Sequence, residues 1–104
     1  MKDNTEKQWL LYILECRDGT LYTGITDNLE RRLQAHRVGK GAKYTRGRAP
    51  LTVRYVEKCD SYSQALRREV QVKRLSRGEK LLLCQQFSQE GKYGILFQDN
   101  RIDP

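Results

Sequence analysis

WLLYILECRDGTLYTGIT, residues 9–26, is the stretch whose reading decides the fold. Trp9 to Cys16 is almost wholly apolar, with enough aromatic and β-branched side chains for a strand covered on both faces. Thr20 to Thr26 reads as a second strand, and Arg17-Asp18-Gly19 between them as a hairpin turn. Loop length then sets which side chains meet. A two-residue Asp18-Gly19 loop sends Tyr12 and Tyr22 to opposite faces. A three-residue loop with Gly19 in the left-handed conformation sets Tyr12 opposite Gly24 and Leu14 opposite Tyr22, so both tyrosines share a face. The three-residue loop is the expectation. Gly24 would then remove a side chain beside Tyr12 and let a ligand approach the backbone.

Working outward, a helix is expected from about Asn28 to Val38, with Asp27 and Glu30 as a capping-box-like pair and Gly39 and Gly41 as its stop. The loop GKGAKYTRGRAP, residues 39–50, leads to a third strand, TVRYVEKC, residues 52–59. A second helix begins near Ser61, where Ser61 and Gln64 offer a capping box, and runs to about Leu75. A third begins at Ser76, with Glu79 completing S-x-x-E, and runs to about Phe87. In the tail, KYGILF, residues 92–97, reads as either a short strand or a docked segment. The order ββα-βαα predicts an α+β fold: a small three-stranded antiparallel sheet packed by helices. The boundaries expected are a disordered tail over residues 1–8, the domain over 9–87 and a C-terminal extension over 88–104.

A chain of 104 residues is one domain with a modest core. Twenty Lys and Arg against thirteen Asp and Glu leave a net charge of +7, which points to a polyanionic partner, nucleic acid ahead of a membrane surface. The first residues, MKDNTEKQ, are polar, and no apolar run approaches the roughly 18 residues that span a bilayer, so no leader and no membrane segment are expected. Cys16, Cys59 and Cys84 are odd in number and fit no zinc spacing, so they read as reduced thiols of a cytoplasmic protein. Oligomeric state is not legible, and a monomer is assumed.

The candidate chemistry lies on the first helix. Leu29, Arg32, Leu33 and His36 share one face. Leu29 and Leu33 can anchor that face to the sheet, and Arg32 and His36 flank the anchor. With Tyr12 and Tyr22 on the facing strands, four polar tips converge beside Gly24. On the second helix, Ala65, Leu66, Glu69, Val70 and Lys73 share a face, with Glu69 at the margin of the apolar stripe. One carboxylate among cations suits a divalent ion whose other ligands are phosphate oxygens and water. The set fits phosphodiester hydrolysis, which needs a base for water, a cation on the phosphate and a metal for the developing charge. A phenol can relay the proton, and the planar fork of Arg32 suits phosphate. Taken singly, each residue has an ordinary reading: strand tyrosines, a helix-end histidine, an exposed Glu69–Lys73 pair. Their order and spacing together favour a shared site.

Leu11-Tyr12-Ile13 followed by Tyr22-Thr23-Gly24 resembles the two-part signature of the GIY-YIG nuclease superfamily. The similarity runs from residue 9 to about 80 and takes in GITDNLERRLQAH, GKGAKYTRGRAPL and ALRREVQVKRLSRGEK. It is greatest to the small single-domain bacterial proteins of the UPF0213 type. The resemblance implies that Tyr12 and Tyr22 are the signature tyrosines, one of them the general base or its relay, and that Gly24 is the signature glycine. It implies that Arg32 contacts phosphate, that His36 orients or shuttles the proton, and that Glu69 binds a single Mg²⁺ or Mn²⁺. Two positions depart from the pattern. Leu10 stands where glycine is usual, and Leu21 stands where some members carry a lysine before the second tyrosine. Tyr12 and Tyr22 stay alternatives for the base.

From Arg31 to Arg54 there are eight basic residues and no acid. Arg31, Lys40, Lys43, Arg46 and Arg48, with Lys73 from the second helix, can follow a phosphate backbone, and Tyr44 can stack on a base. The block Arg67, Arg68, Lys73, Arg74, Arg77 and Lys80 extends that surface. Nothing resembles a base-reading helix. The expected function is therefore a metal-dependent endonuclease acting on DNA, with RNA as the second candidate, directed by structure or backbone and not by sequence. The alternatives are a non-catalytic nucleic-acid-binding module on the same scaffold, and a protein-interaction domain that docks through the tail from Ser88.

Overall fold

The computed structural model of the chain describes residues 8–37, 51–90 and 101–102. Strands β1 (Trp9–Glu15) and β2 (Leu21–Thr26) form the expected hairpin, with Tyr12 opposite Gly24 and Leu14 opposite Tyr22. Its turn is the three-residue one. Cys16 N donates to Thr20 O at 2.8 Å, Gly19 N to Cys16 O at 2.9 Å, and Gly19 sits at φ 87°. Asp18 Oδ1 accepts from the backbone N and the hydroxyl of Thr20, fixing the turn from within.

Helix α1 (Leu29–Arg37) follows, then β3 (Leu51–Cys59), α2 (Tyr62–Lys73), α3 (Arg77–Glu90) and a two-residue strand β4 (Arg101–Ile102). The sheet order is β2-β1-β3-β4, antiparallel throughout, with a bulge where β1 passes from Ile13 to Leu14 along β3. The three long strands are those expected. The short β4, paired with Leu51–Thr52, comes from the tail and is too brief to carry a periodicity. KYGILF lies outside the described residues.

The two-sided apolar character of β1 is explained by what covers it. Leu10, Tyr12, Leu14 and Cys16 pack on one face with Leu29 and Leu33 of α1. Leu11 and Ile13 pack on the other with Ala65 and Val72 of α2 and Cys84 of α3. All three cysteines are buried thiols. Among the described residues, no helix is long and apolar enough to cross a membrane.

The helix starts differ from expectation in one case. Asn28, not Asp27, caps α1: its Oδ1 accepts from Arg31 N at 3.0 Å, while Thr26 Oγ1 holds Asn28 N at 3.1 Å. A cap must sit directly before the first helical residue, and that residue is Leu29. Ser61 caps α2, and Ser76 with Glu79 forms a reciprocal box at α3. The end of α2 falls at Lys73, short of Leu75, and α3 runs on to Glu90, past Phe87.

The inward stripe of α2 also differs. Ala65 and Val72 are buried, whereas Leu66 is 39% and Val70 49% exposed. At about 100° per residue, both lie more than a right angle from the buried direction between positions 65 and 72. Glu69 is at the margin, as expected, with its side chain 20% exposed.

Candidate active site

The hairpin register and the α1 face bring the predicted residues together. The ring of Tyr12 is fully buried against α1. Its hydroxyl lies 3.0 Å from His36 Nε2 and accepts from Arg32 Nε at 3.2 Å. Tyr22 completes the group from β2, its ring centroid 6.3 Å from that of Tyr12 and 5.6 Å from that of His36. Leu29 and Leu33 hold the helix to the sheet, as the face analysis predicts, but His36 is itself only 2% exposed and so is part of the core.

Gly24 makes this packing possible. A Cβ there would stand 2.6 Å from the Tyr12 hydroxyl oxygen and 3.1 Å from a Tyr22 ring carbon. The space that the glycine leaves is therefore taken by Tyr12, not kept for a ligand as the sequence suggested.

Burial sets the charge states. It pushes the Tyr12 phenol up to about 12, against the pull of the hydrogen-bonded Arg32. Burial, then the Arg32 charge, push His36 down to about 4. Burial also works against the Arg32 charge, but the bonds to Tyr12 and Tyr22 outweigh it and hold that guanidinium above its ordinary pKa. At neutral pH a neutral phenol thus faces a neutral imidazole beside a fixed cation. Arg32 N–H occupies one lone pair of the Tyr12 oxygen, and in the His36 tautomer protonated on Nδ1 the phenol donates its proton to Nε2.

Glu69 stands at the edge of this group. Its charge is felt at Tyr12, which it raises further, and its carboxylate pairs with Lys73 at 3.2 Å. Among the described residues, no three of His, Cys, Asp and Glu gather as a ligand set. Glu69 offers one hard oxygen donor group, enough for an ion that keeps several waters and takes phosphate oxygens. Arg31 is exposed on α1. Lys40, Lys43, Tyr44, Arg46 and Arg48 lie outside the described residues.

Part of the second basic block does other work. Arg68 Nε meets both oxygens of Glu57 at 2.9 and 3.1 Å, and Tyr55 donates its hydroxyl to the same carboxylate at 2.6 Å. Arg77 donates to Gly19 O at 2.8 Å, and Arg54 pairs with Glu15. These cations brace the fold. The alternation along β3 placed Tyr55 and Glu57 on one face, which was the available signal for the trio. Thr23, between Tyr22 and Gly24, has a buried hydroxyl with no hydrogen-bond partner among the described residues; nothing in the sequence marked it.

The model of the GIY-YIG catalytic domain matches residues 8–81. The UPF0213 protein OB0043 of Oceanobacillus iheyensis is 54% identical over 85 residues, covering 82% of this chain and 99% of its own. The UPF0213 protein VNG_2274C of Halobacterium salinarum is 54% identical over 70 residues, covering 67% of this chain and 91% of its own. The solution NMR structure of the protein EF2693 from E. faecalis is similar with a TM-score of 0.58 and 37% identity, over 86% of this chain and 93% of that one.

Proposed function

The chain belongs to the GIY-YIG catalytic-domain family, a nuclease family, and from that premise we propose that it is a metal-dependent endonuclease hydrolysing phosphodiester bonds in DNA. The observation that carries the reading is the Tyr12 hydroxyl held between Arg32 and His36 beside a glycine. A water attacking phosphorus gives its proton to the Tyr12 oxygen, as the phenolic proton passes to His36 Nε2 and the P–O bond to the leaving sugar oxygen breaks; because Tyr12 is itself buried, the partly exposed Tyr22 is the alternative first acceptor. His36 suits the role because it is neutral at working pH and accepts. Arg32 holds a phosphate oxygen. A phosphate bound there also offsets the Arg32 charge that depresses His36, so substrate binding makes the base stronger. Tyr22, partly exposed outside Tyr12, lines the approach to phosphorus with Arg32.

Glu69 would hold a single Mg²⁺ or Mn²⁺, which supplies stabilisation of charge on the phosphate and leaving oxygen when bound. Lys73 would then release the Glu69 carboxylate and become available to the backbone. Arg31, Lys73 and the loop residues Lys40, Lys43, Arg46 and Arg48 supply the backbone contacts, with Tyr44 against a base. This makes recognition depend on structure or charge and not on sequence.

The test is cleavage of labelled duplex, single-stranded, flapped and branched DNA, and of RNA, with magnesium or manganese, beside Glu69→Ala. Cleavage by the native chain alone, with binding by Glu69→Ala kept within a few-fold, is the expected result. Equal traces in both proteins would refute the assignment. A second reading is favoured by one observation, the Lys73 ammonium already engaged with Glu69: a module that binds nucleic acid without cutting it. Salt-sensitive binding with no cleavage in any condition would select it.

A further inference from the structure

The apolar side chains exposed on α2 form a band. Tyr62 is 52%, Leu66 39% and Val70 49% exposed, each four residues from the next. Tyr62 opens α2, and its ring lies against that of Trp9, centroids 4.7 Å apart and tilted by 48°. Trp9 packs on the core beneath α2 and is fixed by it, but Tyr62 belongs to neither core cluster. The pair is thus a rigid lower ring carrying an upper ring with one open face. Leaving an aromatic ring and two aliphatic chains in water forgoes burial that an inward rotation of the pattern would have gained.

The band has a direction. Tyr62 and Glu69 are seven residues apart, about two helical turns, so they share a face of α2 and stand about 10 Å apart along its axis. That distance is a few nucleotides of one strand: about three at the 3.4 Å spacing of a stacked strand, and fewer where the strand is extended. Lys73 continues the same face beyond Glu69. Arg67 and Arg74, on the outward side of Val70, meet no carboxylate among the described residues. A band with an aromatic ring at its first turn, Arg67 and Arg74 beside Val70 further along, and a phosphodiester site on the same helix matches a nucleobase attached to its backbone. It does not match an apolar peptide, which would leave those cations without partners.

Resting on the nuclease reading, we infer that Trp9 and Tyr62 form a stacking platform for an unpaired base within about three nucleotides of the scissile phosphate. A paired base has no free face to offer at the helix surface. The platform therefore selects substrates with a single-stranded arm over blunt duplex.

Trp9 is the only tryptophan in the chain, so its fluorescence reports the platform directly. The full chain, without divalent metal to prevent cleavage, is titrated with short oligothymidylate and with a blunt hairpin duplex closed by a non-nucleotide linker, which offers no unpaired base. Oligothymidylate is expected to change Trp9 emission and the hairpin to leave it unchanged. Tyr62→Ala is expected to weaken oligothymidylate binding at least about fivefold, the lower end of one base–aromatic stack on alanine substitution. Hairpin binding and thermal midpoint should be unchanged, and Tyr62→Phe should restore the affinity. Equal effects of Tyr62→Ala on both probes, or none on either, would overturn the platform while leaving hairpin binding and cleavage to support the nuclease. A Trp9 signal that follows protein concentration and ignores oligothymidylate would give the band to a second copy of the chain and also overturn it. Failure to bind any nucleic acid would remove both readings.

Discussion

Two tyrosine–arginine groups lie in this small fold, and they are built for different ends. In both, burial, complete for Tyr12 and partial for Tyr55, pushes a phenol up to about 12, and an arginine donates to its neighbourhood. Around Tyr55 the arginine is neutralised: Arg68 grips Glu57, and the Tyr55 hydroxyl donates to the same carboxylate. Around Tyr12 no carboxylate pairs with Arg32 among the described residues, and the third partner is a neutral histidine. A neutralised arginine is a brace with nothing left to attract. An arginine kept uncompensated beside a proton acceptor attracts an anion and has somewhere to send a proton. Among the described residues, one missing acid separates the brace from the candidate site.

The sharpest way to break the comparison is to remove each hydroxyl. Tyr12→Phe is expected to reduce cleavage by roughly 10²–10⁴-fold, the range of a lost acid–base group, while Tyr55→Phe stays within about twofold. Rates on the best substrate from the panel would decide it. Tyr22→Phe should fall between the two. If Tyr22→Phe is the more damaging of the signature pair, Tyr22 is the base and Tyr12 its support.

Gly24→Ala comes next. Its Cβ would collide with the Tyr12 hydroxyl, and the ring cannot withdraw because Leu10 and Leu14 pack beside it. A loss of about 1–3 kcal/mol in denaturant unfolding is expected, as for overpacking, together with lost cleavage. Gly78→Ala is the control. Its Cβ would meet only Ser76 Oγ at 4.0 Å, so stability should hold or rise by up to about 1 kcal/mol.

The pairing of the hairpin, and with it the meeting of Tyr12 and Tyr22 in the candidate site, was legible because Gly19 and the two tyrosines allow one register that serves both faces. Arg32 and His36 followed from helical spacing alone. The role of Gly24 was not legible, since spacing gives the missing Cβ but not which neighbour fills the gap. The α2 face was misjudged for a related reason. Leu66 and Val70 are as apolar as a core residue, and only the docked orientation shows that Ala65 and Val72 point inward. Neither could charge counting tell Arg68 from a surface arginine, because its partner Glu57 is eleven residues away on another element.

Acid should separate the groups by stability. His36 is lowered from 6.5 to about 4, so above pH 6.5 it is neutral folded or unfolded. As pH falls below 6.5, the unfolded chain takes up a proton that the folded chain refuses, and stability is lost until about pH 4. Between pH 7 and pH 5 the loss is about 2 kcal/mol from this residue. Unfolding midpoints at the two pH values should show it, and His36→Gln should remove most of it. A native chain equally stable at both would mean that His36 is solvated and not the neutral acceptor. By the same depression, the acid limb of kcat/KM for cleavage should lie well below pH 6.5.

The smallest effect is the most discriminating. The Arg68–Glu57 pair is partly exposed, so Glu57→Gln should change stability by about 1 kcal/mol or less and leave cleavage unaltered. Its mark is instead on the phenol. After burial, the Glu57 bond and charge raise Tyr55, so removing that charge lowers the Tyr55 pKa. At the other group the neighbour acts with opposite sign: Arg32 lowers Tyr12, and Arg32→Gln therefore raises it. Alkaline titration of phenolate absorbance in the two variants should move one tyrosine down and another up. Shifts in the same direction would mean that Arg32 does not face the Tyr12 hydroxyl as an uncompensated cation, and the distinction between brace and site would fall with it.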